Sequence, residues 1–307
     1  CRILQTSAEA AQDQSFASLH SHEDLNQLFK QGWSSLTSGF QSVQLGDLSV
    51  EVSVLMPVDQ APTGMLLVIK DVSELLRLER VRTDFVANAS HELKTPISAL
   101  RGFIDTLADD EDMPSEIRTS FLKRSQQQVL RLGAIVQDLM QLSRLEAGQV
   151  LPYTAERLVK PLIEAVYETQ RLDAELQEIH LDLEISPSAS TARIHTNQGD
   201  FSQMIANLVE NALQYSDAGQ KVLIKAFDQQ NSIVVQVIDQ GSGIPKKEHD
   251  KIFERFYRVD QARSRDAGGT GLGLSIVKHI AERHRGRVVV TSSLGTGSTF
   301  SVTIPLV

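Results

Sequence analysis

The stretch Phe85-Val86-Ala87-Asn88-Ala89-Ser90-His91-Glu92-Leu93-Lys94-Thr95-Pro96-Ile97 decides how the rest of this chain is read. Leu93, Ile97, Leu100, Ile104 and Leu107 step by four and three residues in turn, the spacing of a coiled-coil seam on a helix. With Leu93 at heptad position d, His91 falls at b, the most exposed register. Val86 and Ser90 carry the seam upstream, with a small polar break beside His91. Thr95 lies four residues on, on the same face, and Glu92 is the next residue. The pattern sets an imidazole in water on a rigid rod, with a carboxylate beside it and a hydroxyl one turn on. A plain surface histidine is the competing reading. Pro96 weighs against it, because proline inside a helix costs roughly 3 kcal/mol and is tolerated where a local kink re-aims something.

Outward from this stretch, one helix is expected over 73–108. The run Asp109-Asp110-Glu111-Asp112-Met113-Pro114 breaks it as a solvated turn. A second helix follows from Ser115 to about residue 147, with Leu132, Ile135, Leu139 and Leu142 on its stripe and Gly148 as its stop. The short connection makes the two antiparallel. Two helices cannot bury two such stripes alone, so two copies forming a four-helix bundle are expected. A monomeric hairpin packed on another domain is the alternative.

The chain has 307 residues, which suggests two or three domains, and a net charge of −9, which argues against a nucleic-acid binder. Cys1 is the only cysteine, so no disulfide framework or thiolate metal site is expected. No run of about 18 apolar residues is present to span a bilayer. Upstream, 23–33 reads as a short helix, 50–54 and 65–69 as strands, and 57–64 as a turn, a small α+β segment. Downstream of 149 the pattern becomes alternating short elements. Helices are expected over 158–178, 198–215 and 274–285, and strands over 179–185, 191–195, 222–227, 233–238, 287–291 and 298–304. That mixture implies an α/β sandwich with one helical layer.

Four stretches in this half carry chemistry. Asn207 and Asn211 share a helix face with Tyr215, and two amide oxygens aimed together suit Mg²⁺. Two solvated asparagines are the plain reading. Asp239-Gln240-Gly241-Ser242-Gly243-Ile244 follows a β-branched strand. Its carboxylate could accept a hydrogen bond from an exocyclic amine such as adenine's, and its glycines permit close backbone approach. Gly268-Gly269-Thr270-Gly271-Leu272-Gly273-Leu274 precedes a helix, a pattern that suits an anion. It lacks the Gly-Lys-Ser/Thr of a Walker loop. Gly295-Thr296-Gly297-Ser298-Thr299-Phe300 turns into the last strand. Between the second and third lies Phe253-Glu254-Arg255-Phe256-Tyr257-Arg258, whose Arg258 could reach a terminal phosphate.

This ordered set resembles the sensor histidine kinases of two-component systems, and looks most like the phosphate-regulation sensor kinases. The resemblance covers about 72–305. Ser90-His91-Glu92-Leu93-Lys94-Thr95-Pro96 matches the phosphoacceptor motif, and the stretches at Asn207, Asp239, Phe253, Gly269 and Gly295 follow in the family's order. The segment over 1–71, with strands that lead into a helix at Asp71-Val72-Ser73, separately resembles the end of a PAS sensor domain, and a small α+β module that only dimerises is the alternative. The kinase resemblance implies a dimerising histidine domain over 72–148 and an ATP-binding domain over 149–307. The last would have the fold shared with gyrase and the ninety-kilodalton heat-shock chaperones.

By resemblance, His91 takes the γ-phosphoryl group of ATP, with Glu92 on the other ring nitrogen. The group then passes to an aspartate of a response regulator, and Thr95 serves the reverse, phosphatase direction. Mg²⁺ would sit on Asn211 with Asn207 nearby. Tyr215, Asp239, Gly241, Gly243, Ile244, Arg258, Gly269, Thr270, Gly271, Leu272, Gly273, Leu274 and Thr299 would hold the nucleotide. The family also implies attachment to the bacterial inner membrane through an upstream segment. One departure stands out: Gln214 occupies a place where the family commonly has lysine. Two other classes remain, an ATP-driven clamp and a sensing scaffold with a weak kinase.

Overall fold

The structure, a computed structural model, describes residues 23, 25–27, 30, 39–45, 48–55, 66–110, 112–146, 155–259 and 269–307. Most of the expected helix over 23–33, the turn over 57–64, and Gly148 and Gly268 lie outside them. The chain divides into two compact units, residues 1–87 and 88–307.

In the first unit, β1 (Gly39–Leu45), β2 (Leu48–Leu55) and β3 (Leu66–Asp71) form an antiparallel sheet in sequence order. Val43, Val50 and Val52 are buried. Asp71 accepts a hydrogen bond at 2.9 Å from the backbone N–H of Ser73, a side-chain turn that starts α1 (Ser73–Asp109). The Ser73 hydroxyl in turn accepts from Ser49 N–H at 2.8 Å, tying the helix start to β2.

The second unit opens with the rest of α1 and with α2 (Ser115–Glu146). Ile135, Leu142 and Leu145 are buried on α2, and the Phe103 and Phe121 rings meet 5.7 Å apart. Pro96 lies within α1 and is buried. The hairpin leaves Ile97, Ile104, Leu122, Val129, Leu130, Val136 and Met140 at least 44% exposed. Among the described residues no helix is long and apolar enough to cross a membrane.

The remainder is a two-layer α/β sandwich. Its five strands run in the order β5 (His180–Ile185), β7 (Lys221–Gln229), β8 (Ser232–Ile238), β10 (Gly297–Pro305) and β9 (Arg287–Ser293). Only β5 and β7 are parallel. Val222, Ile224, Val235, Val237, Phe300 and Val302 alternate inward and are buried, as period-two strands with one covered face require. The covering layer is α3 (Val159–Leu176), α4 (Gln198–Gln214) and α5 (Gly273–Arg283). A two-stranded ladder of β4 (Glu156–Leu158) and β6 (Arg193–His195) stands apart from the main sheet.

Asn197 caps α4, its side chain accepting from Asp200 N–H at 3.1 Å. Phe201, Met204, Ile205 and Leu208 then fall on one buried face. Truncating a side chain such as Phe201 to alanine would cost about 3–5 kcal/mol.

His284, 6% exposed, lies between the Ile280 carbonyl at 2.7 Å and the Thr196 hydroxyl at 2.8 Å. Burial lowers its pKa below the ordinary 6.5. The unfolded chain therefore takes a proton that the folded one refuses, and stability is lost as pH falls below about 6.5. The melting temperature should drop on acidification from neutral pH, and the drop should be smaller in His284→Gln. Equal slopes in a pH series of thermal melts would contradict this.

Candidate nucleotide and phosphoacceptor site

The glycine stretches converge on the C-terminal half of α4. Asp239, at the end of β8, is 5% exposed. Its Oδ1 accepts the backbone N–H of Gly241 at 2.9 Å and that of Ser298 at 3.0 Å. Burial pushes the carboxyl above the ordinary aspartate range, against the pull of those two donors. The glycines are needed because backbone runs against backbone. A Cβ at Gly241 would lie 2.1 Å from the Tyr215 carbonyl oxygen, and one at Gly297, whose φ is +96°, would lie 2.0 Å from that of Asp239. The Ile244 N–H donates to the Ser292 hydroxyl at 2.8 Å. Thr299, in β10, pairs with Ile238 on one side and Thr291 on the other, next to Asp239.

On α4 the two predicted asparagines differ. Asn207 is 6% exposed, and its amide is already engaged: Oδ1 accepts from Gln203 at 2.6 Å, and Nδ2 donates to the Gly273 carbonyl at 3.1 Å. Asn207 therefore locks α4 to the first residue of α5. Asn211 is half-buried one turn on, and Tyr215 is 39% exposed. A Cβ at Gly269 would meet the Gln214 amide at 2.9 Å and the Arg258 guanidinium at 3.4 Å. Gln214 thus faces the glycine loop from the position that the family commonly gives to lysine.

Three contacts of this loop are not visible in the sequence. Phe256 adopts φ +61°, rare for a bulky residue, and donates its N–H to the Gly271 carbonyl at 2.8 Å. The Thr270 hydroxyl donates to Asp138 of α2 at 2.6 Å and accepts from Leu272 N–H at 3.2 Å. Burial raises the Asp138 carboxyl, and the Thr270 bond opposes that rise. Leu272 is fully buried and Leu274 half-buried, so the start of α5 is fixed by packing.

The stretch around His91 lies on α1. The side chain of His91 is 72% exposed, as register b predicts. Its Nδ1 lies 3.9 Å from Glu92 Oε1, and Glu92 Oε2 lies 3.7 Å from an Arg131 nitrogen of α2. The Thr95 hydroxyl donates to the His91 carbonyl at 3.2 Å.

Two family models match the chain. One is the His Kinase A (phospho-acceptor) domain, over residues 81–148. The other is the histidine kinase-, DNA gyrase B- and HSP90-like ATPase, over 196–307. The chain belongs to the two-component sensor histidine kinases. This histidine kinase is 38% identical over 259 residues to the sensor-like histidine kinase SenX3 of Mycolicibacterium smegmatis, covering 84% of this chain and 66% of SenX3. It is 37% identical over 240 residues to the phosphate regulon sensor protein PhoR of Pseudomonas aeruginosa, covering 77% of this chain and 53% of PhoR. Its fold is similar to that of the histidine kinase ThkA crystallised in complex with response regulator protein TrrA. The TM-score is 0.53 at 20% identity, over 100% of this chain and 90% of ThkA.

Proposed function

We propose that this kinase phosphorylates His91 from ATP and passes the phosphoryl group to an aspartate on the receiver domain of a response regulator. The observation that carries this reading is the exposed His91 with a carboxylate 3.9 Å from its Nδ1, in a chain that also holds a buried strand-end aspartate among glycine turns. Adenine's amine donates to the Asp239 carboxylate. The loop over 269–273 and the N-terminus of α5 receive the phosphates, with Arg258 as the nearby cation. His91 attacks the γ-phosphorus through Nε2, forming the N–P bond as ADP leaves. Glu92 stabilises the charge that develops on Nδ1–H. Positioning and charge neutralisation supply most of the rate.

Mg²⁺ fits the donor set. Among the described residues no three His, Cys, Asp or Glu converge. The protein would supply the Asn211 amide oxygen, while the Asn207 amide is engaged with Gln203 and Gly273, and this ion commonly keeps several waters beside substrate phosphates. When bound it would neutralise phosphate charge. An ATP-driven clamp is disfavoured, because Asn207 stands where such an enzyme needs a glutamate base and its amide is bonded on both sides.

The bundle helices make the kinase a homodimer, its exposed apolar face on α1 and α2 covered by a second copy. Residues 1–71 form a PAS-like sensor segment, in keeping with antiparallel strands that feed a helix through Asp71 and Ser73. By family, the chain is the cytoplasmic portion of an inner-membrane-anchored bacterial protein, and Thr95 serves the phosphatase direction.

The test is transfer. Kinase loaded with γ-labelled ATP and freed of nucleotide should lose its label to an added receiver domain, and a receiver lacking its acceptor aspartate should take none. Label that stays on the kinase with every receiver of the source organism would overturn the transfer step.

A further inference from the structure

Arg131 stands out because neither motif spacing nor any role assigned above accounts for it. It belongs to α2, 40 positions from His91 in the chain. Its side chain is only 13% exposed, in a helix whose neighbouring seam positions, Leu132 and Ile135, are apolar. Glu92, itself 26% exposed, lies between Arg131 on one oxygen and His91 Nδ1 on the other. The three groups form a line across the hairpin, from a mostly covered cation to a solvent-exposed imidazole. Burying a guanidinium at a helix–helix contact is a poor way to gain stability, since an apolar residue of similar volume does at least as well. Orientation is what the pair adds. A glutamate has several freely rotating bonds, and beside an exposed imidazole it would spend little time pointing at one nitrogen.

Resting on the reading of His91 as phosphoacceptor, we propose that Arg131 is a positioning residue. It anchors one Glu92 oxygen so that the other faces His91 Nδ1 and leaves Nε2 as the nucleophile. The tautomer of a neutral imidazole is set by the hydrogen bond its other nitrogen makes. A carboxylate held on the Nδ1 side favours Nδ1–H, and the lone pair then sits on Nε2, the nitrogen pointing away from Glu92. The 3.9 Å separation is longer than a hydrogen bond, and such contacts commonly tighten only when substrate is bound. Without Arg131 the carboxylate swings free, and the ring relaxes toward the Nε2–H form, whose exposed nitrogen cannot attack.

The test uses the full chain with Arg131→Gln, Arg131→Lys and Glu92→Gln. Two-bond ¹H–¹⁵N correlation spectra of the His91 ring at neutral pH, without nucleotide, report the tautomer directly. The Nδ1–H share should fall in Arg131→Gln and recover in Arg131→Lys. At saturating ATP, phosphorylation of His91 should slow roughly tenfold in Arg131→Gln, with the KM for ATP unchanged. Arg131→Gln added to Glu92→Gln should slow it no further, because both changes break the same line.

An unchanged tautomer in Arg131→Gln overturns the proposal, whether or not the rate falls. A full additional loss in the double variant also overturns it. Should Arg131→Gln fail to fold, Arg131→Lys still decides, because a lysine that restores neither ring signal nor rate excludes a role through charge. A tautomer that follows Arg131 in a protein that never acquires label upholds the positioning and removes the phosphoacceptor reading instead.

Discussion

Asp239→Asn should weaken ATP binding about 10- to 100-fold while leaving the fold intact. In the proposed function the carboxylate has two tasks. One oxygen accepts the backbone N–H groups of Gly241 and Ser298, and an amide oxygen of the same shape can continue to do so. The other task, accepting from the adenine amine, is lost when an NH₂ replaces an oxygen. The new donor then faces the ligand's donor. A charge-assisted hydrogen bond contributes about 1.5–3 kcal/mol, which gives the factor stated. The same change should improve binding of inosine triphosphate relative to ATP, because that base presents a carbonyl where adenine presents an amine. Calorimetric titration of both nucleotides against both proteins measures it. Equal losses for the two would mean that Asp239 holds the turn and does not read the base. Asp239→Ala is the poorer test, since it strands two buried N–H groups and destabilises the domain as well.

His91→Gln should abolish phosphoryl uptake altogether and leave ATP affinity unchanged. Glutamine keeps a polar side chain at an exposed helix position, so the 72%-exposed site offers no packing reason for the fold to respond. It offers no nitrogen able to attack phosphorus. The contrast with Asp239→Asn is the informative part. Raising ATP restores labelling in the Asp239 variant, whose defect is binding, and cannot restore it in the His91 variant, whose defect is chemical. Residual acid-labile label in His91→Gln would mean that another residue accepts the phosphoryl group.

The parts of the fold with strong periodicity were legible. The four-and-three spacing around His91 placed α1 within a residue at its C-terminal end, and alternating Val/Ile runs placed β7, β8 and β10. Weaker elements escaped. β1 reads Gly-Phe-Gln-Ser-Val-Gln-Leu, too polar for its alternation to stand out, and β4 is three exposed residues held by pairing with β6. The expected strand over 191–195 begins only at Arg193, because 189–191 forms a single 3₁₀ turn with Ala189 buried.

In the site, what a local pattern can encode was readable: the shared face of Asn207 and Asn211, and the glycines beside Asp239. Contacts across long stretches of chain were not. Nothing in the spacing ties Thr270 to Asp138, Phe256 to Gly271, or Arg131 to Glu92. Nor does it reveal that Asn207 is already bonded to Gln203 and Gly273. Each of these depends on which helix faces come to lie together, a property of packing that no single segment carries.

The central claim is that one exposed imidazole receives phosphorus from nucleotide held at Asp239. Incubating the purified chain with γ-labelled ATP and Mg²⁺, digesting it, and mapping the modified peptide tests this directly. The expected result is a single label, lost in acid and kept in base, on the peptide containing His91. An acid-stable label, a label on another residue, or phosphate released steadily with none on the protein would contradict it.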